Sequence, residues 1–91
     1  MLESNSKIIR KNLPWQEFDE KIIILSPHTK MSHELNETCS WLWKRVEEEK
    51  TFESLLFELM EDFEVEEQIA RKDLLEILLG LEQKLLVEIH E

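Results

Sequence analysis

Ninety-one residues carrying 21 acids against 11 bases, a formal net charge of −10, describe one small acidic domain that is repelled by the phosphates of DNA or RNA and by anionic membrane surfaces. The composition is 42% hydrophobic and 35% charged with a single glycine, so the chain is patterned to fold around a small core. No apolar run approaches the roughly 20 residues of a membrane span, the amino terminus lacks the pattern of a secretory signal, and the lone Cys39 has no disulfide partner, which together fit a reducing cytoplasm.

Residues 1 to 12 are polar apart from Leu2, Ile8 and Ile9 and show no period, which predicts a flexible tail ahead of a single domain over residues 13 to 91. "LPWQEF" and "KIIIL", separated by Asp19 and Glu20, predict a hairpin rich in aromatic and β-branched residues. Ile22 and Ile24 point one way and Ile23 and Leu25 the other, so this strand is covered on both faces or offers one to a partner. Pro27 breaks it. "MSHEL" then alternates Met31, His33 and Leu35 against Ser32 and Glu34, which suggests a third strand or an extended approach to a helix.

Three helices follow. Asn36 is a natural cap for the first, whose Cys39, Leu42, Trp43 and Val46 recur at helical spacing; Trp41 lies off that stripe and is left between core and a partly exposed position on the hairpin or a partner. Thr51 caps the second, with Phe52, Leu55, Leu56, Leu59, Met60 and Phe63 on one buried face. The third runs from about Glu66 to Lys84 and carries Ile69, Leu74, Ile77, Leu78, Leu81 and Leu85 on one face. Leu75 and Leu79 form a second stripe about 100° away, which needs its own covering surface. "LLVEI" suggests a short closing strand or a tail.

Catalytic signatures are missing. A single glycine inside a helix excludes a glycine-rich phosphate loop. Cys39 with His28 or His33 would make a nucleophile and base only if the thiol escaped the apolar stripe; a structural cysteine is the better reading. His28, His33, Glu34 and Glu37 have no metal-ligand spacing, so no metal or cofactor is expected and the chain is read as a non-enzyme. What remains unexplained is apolar surface: Trp41, Phe57, Leu75, Leu79 and the second face of "KIIIL".

These residues gain an organisation from a resemblance. Leu35, Asn36 and Thr38 with Cys39, then Thr51, Phe52 and Leu55 with Leu56, then Asp73, Leu74, Ile77, Leu78 and Leu81 follow in order the pattern of the PqqD family, which the chain resembles over about residues 14 to 89. The resemblance implies an α+β, winged-helix-like fold in which a three-stranded N-terminal antiparallel sheet precedes a three-helix bundle. It also implies a recognition element that binds the leader segment of a ribosomally made precursor peptide and presents it to a modifying enzyme, often a radical SAM enzyme. In the family the leader is added as a strand beside the third strand, in the groove toward the third helix. By position, the strand edge is Met31, Ser32, His33, Glu34 and Leu35, and the helix wall is Lys72, Leu75 and Leu79, with Gln68 and Arg71 as outer candidates. Two departures stand out: Leu85 occupies a place where the family commonly has glycine, so that the third helix runs on or turns differently, and "SPHTKMSHEL" replaces the loop typical of members from the PQQ pathway. The competing expectation is an assembly protein that forms a homodimer, or docks on an enzyme, through the same apolar surface.

Overall fold

A computed structural model describes residues 2–27 and 30–91. The chain forms an α+β fold in which a three-stranded antiparallel sheet precedes three helices. That sheet has the order β2-β3-β4, from β2 (Trp15–Phe18), β3 (Lys21–Ser26) and β4 (Met31–Glu34). A two-residue turn joins β2 to β3, with Asp19 and Glu20 both at positive φ (54° and 67°), the left-handed geometry that matches strand twist in a tight hairpin. Ile22 and Ile24 are buried, whereas on the opposite face Ile23 is half-buried and Leu25 is 52% exposed, so the second apolar face of β3 is only partly covered.

The helices are α1 (Glu37–Arg45), α2 (Phe52–Phe63) and α3 (Glu67–Gln83). Asn36 caps α1 by accepting the Cys39 amide, and Thr51 caps α2 by accepting that of Ser54. Each caps the helix that the sequence assigned to it. Leu42, Trp43 and Val46 from α1, Phe52, Leu55, Leu56 and Leu59 from α2, and Ala70, Leu74, Leu78 and Leu81 from α3 share one core with Ile22, Ile24 and Leu35. α1 lies on β3, and α2 packs against α3.

Three expectations need correction. Lys7–Arg10 are not tail: they form β1, the central strand of a second antiparallel sheet of order β5-β1-β6, with β5 at Lys50–Thr51 and β6 at Val87–His90. Ile8 is fully buried there, and Arg10 places its guanidinium over the rings of Trp15 and Trp43, 5.1 and 5.2 Å from their centroids. On α3, Ile69 and Leu85, assigned to the buried face, are both 52% exposed. α3 also stops where the family's glycine would stop it, because Leu85 itself adopts the left-handed conformation (φ 61°). The amide of Leu86 donates to the Leu81 carbonyl and that of Leu85 to the Glu82 carbonyl, the hydrogen-bond pair of a Schellman cap.

Candidate functional site

β4 is the outer strand of its sheet. Its inner edge pairs with β3 from Ile23↔Glu34 to Ser26↔Met31, and among the described residues no strand pairs with its outer edge. An unpaired edge of this kind presents a row of backbone donors and acceptors to any extended chain. Local contacts hold its end in place. The Leu35 amide donates to the Ile22 carbonyl at 2.8 Å, and the buried Ser40 hydroxyl both accepts from the Ile22 amide (3.0 Å) and donates to the Leu35 carbonyl (3.1 Å). The first turn of α1 is therefore fixed directly behind the strand.

Across from this strand end stands α3. Between them lies a cleft of about 270 Å³, with Glu34, Leu35, Asn36 and Cys39 on one side and Glu76, Ile77, Gly80, Leu81 and Lys84 on the other. A second, mostly apolar cleft of about 450 Å³ opens at the start of β4, where Met31 and Ser32 meet Pro14, Leu25, Ser26, Pro27 and Lys30. β4 thus runs from one concavity to another.

The structure brings together only part of the set expected from sequence. Met31, Ser32, His33, Glu34 and Leu35 lie in order along the strand and its exit, with Met31 60% exposed, His33 half-buried and Leu35 buried. Lys72, Leu75 and Leu79 are not among the residues that line this cleft. They share another flank of α3, at i, i+3 and i+7, where Leu75 and Leu79 are 38% and 45% exposed. Leu79 lines a separate cleft with Leu2, Glu82, Ile89, His90 and Glu91. Arg71 is committed elsewhere, paired with Glu67 at 3.1 Å and set over the Phe52 ring. The wall that faces the end of β4 is the stripe of Ile77, Gly80 and Lys84, which sequence reasoning missed; the solitary glycine was the available signal.

Burial pushes the Cys39 thiol up from its ordinary range, and the nearby Lys84 offsets this only in part. The group is consequently a neutral thiol at physiological pH, suited to packing. His28 lies outside the described residues. Among those residues, no group of three or more His, Cys, Asp or Glu could hold a metal ion, and no helix is long and apolar enough to cross a membrane. Trp41 is half-buried on the end of α2, edge-to-face with Phe63 at 5.7 Å, its indole donating to Asp62 at 2.7 Å and its ring covered by Arg45. Trp43 is core.

A family model described as coenzyme PQQ synthesis protein D (PqqD) matches residues 21–87, which takes in β3, β4, β5, all three helices and the first residue of β6. No curated protein and no solved structure matches the chain. On the family match, which covers most of its length and spans both walls of the cleft beside β4, the chain belongs to the PqqD family.

Proposed function

We propose that this winged-helix-like chain is a non-catalytic recognition module that binds the leader segment of a ribosomally made precursor peptide and presents it to a modifying enzyme of the radical SAM class. The observation that carries the reading is the open edge of β4 running into the cleft against α3. An added strand would be gripped by backbone hydrogen bonds irrespective of its sequence, while clefts at the two ends of β4 would select side chains. Magnitudes make both parts necessary. Four or five backbone hydrogen bonds, at roughly 0.5–1.5 kcal/mol net each, fall short of the about 8 kcal/mol of a micromolar complex once ordering costs are counted.

The test is an amide NMR titration of the labelled protein with the N-terminal half of the short precursor-like peptide encoded beside its gene. Saturable shifts concentrated at residues 31–35 and 76–84 are expected. A folded, monomeric sample whose spectrum does not change would remove the leader-binding role.

A second reading is favoured by the flank that β4 does not face. Leu75 and Leu79 are exposed on one flank of α3, Leu79 sharing a cleft with β6, itself an edge strand, so this surface would serve a homodimer or dock the modifying enzyme. Sedimentation of the free protein separates the two readings: a concentration-dependent mass that Leu79→Glu abolishes belongs to assembly alone.

A further inference from the structure

Gly80 is the only glycine in the chain and lies in the last turn of α3, where glycine still weakens a helix relative to alanine. The usual reasons for such a residue are missing. Its φ is not positive, so the backbone does not require it. A Cβ built on it would meet nothing within 4 Å, so no neighbour in the fold requires it either. The opening above Gly80 is the cleft beside β4, floored by apolar groups from Leu35, Ile77 and Leu81 and rimmed by Glu34, Glu76 and Lys84.

We infer that Gly80 keeps this cleft deep enough to take one large apolar side chain, of the leucine, methionine or phenylalanine kind, from a peptide strand added to β4. The inference rests on the peptide-binding reading above and specifies the peptide it selects. At about 270 Å³ the cleft is smaller than the roughly 300–1,000 Å³ of small-molecule sites, which suits a side chain better than a whole ligand. Side chains on one face of an added strand are spaced roughly 7 Å apart, so a single anchor enters while its neighbours pass the charged rim. The neutral thiol of Cys39 adds a further apolar surface to the wall.

The experiment pans a displayed library of random twelve-residue peptides against the wild type, Gly80→Ala and Gly80→Leu. Wild type is expected to enrich peptides with a large apolar residue at one fixed position, and Gly80→Leu to replace it there with alanine, serine or glycine. Gly80→Ala keeps the test secure if the larger substitution misfolds: it should melt at a higher temperature than wild type, yet bind the best wild-type-selected peptide roughly tenfold more weakly. Enrichment of the same residues by all three proteins would overturn the role of Gly80 and leave peptide binding standing. Absence of any enrichment on folded wild type would overturn the recognition reading, and this inference with it.

Discussion

The Ser40 hydroxyl is shared between the Ile22 amide and the Leu35 carbonyl inside the core, so removing one oxygen leaves a donor and an acceptor stranded where water cannot reach. Ser40→Ala is therefore expected to cost about 1–3 kcal/mol in urea unfolding, far more than an exposed serine would. Nothing in the sequence singles out this residue, because apolar periodicity identifies the side chains that prefer burial and is blind to a polar one recruited to satisfy a strand end. Leu85 gives the opposite case. Its place at the end of the helical pattern was legible, but its left-handed backbone, unfavourable for a residue with a Cβ by roughly 1–2 kcal/mol, shows only in the fold. With its side chain half in solvent, Leu85→Gly should give up little burial and raise the unfolding free energy by up to about 1 kcal/mol, which calorimetry would register as a higher Tm.

At the scale of elements, α3 has three working flanks. Ala70, Leu74, Leu78 and Leu81 face the core; Ile77, Gly80 and Lys84 turn to the end of β4; Leu75 and Leu79 are exposed on a third flank, where Leu79 shares a cleft with β6. The period of 3.6 residues made the stripes visible in the sequence and correctly marked Leu75 and Leu79 as lacking a partner within the core. It could not say on which side of the core stripe β4 would lie, since that is decided by how the helix crosses its neighbours. The two flanks are open to direct comparison. Ile77→Glu is expected to abolish binding of the leader peptide, by placing a carboxylate in the apolar floor, while Leu79→Glu leaves that affinity within twofold and acts only on association with a partner or second copy. Isothermal titration of both variants, with circular dichroism confirming helix content, checks the assignment; equal losses would merge the two flanks into one site.

Across the whole molecule, the hairpin, the three helices and most of their buried faces were readable locally, because each depends on neighbours within a few residues. The second sheet was not. β1 has only Ile8 and Ile9 to announce it, and its strand character comes from pairing with β5 and β6, which are far away in sequence. Removal of residues 1–12 consequently does more than trim a tail: it deletes the middle strand, the buried Ile8 and the Arg10 guanidinium between two tryptophans. Loss of Ile8 packing alone should cost about 2–5 kcal/mol, and the truncated protein is expected to lose its cooperative melt. A sharp transition near the full-length Tm would show that β1 contributes little.

The register of that sheet also sets an order of events during synthesis. Lys7 pairs with His90, so the contact that completes the sheet joins β1 to a strand synthesised well after it. The β2–β3–β4 meander and α1 can form from short-range contacts while later residues are still being added, whereas β1 meets β5 first and gains its second partner only when Val87–His90 emerge. Closing so long a loop is slow compared with forming a hairpin, and during the interval the side of β1 that pairs with β6 stays open. The nascent chain thus carries an open strand edge on β1, a hazard for aggregation or chaperone capture that ends only when β6 arrives.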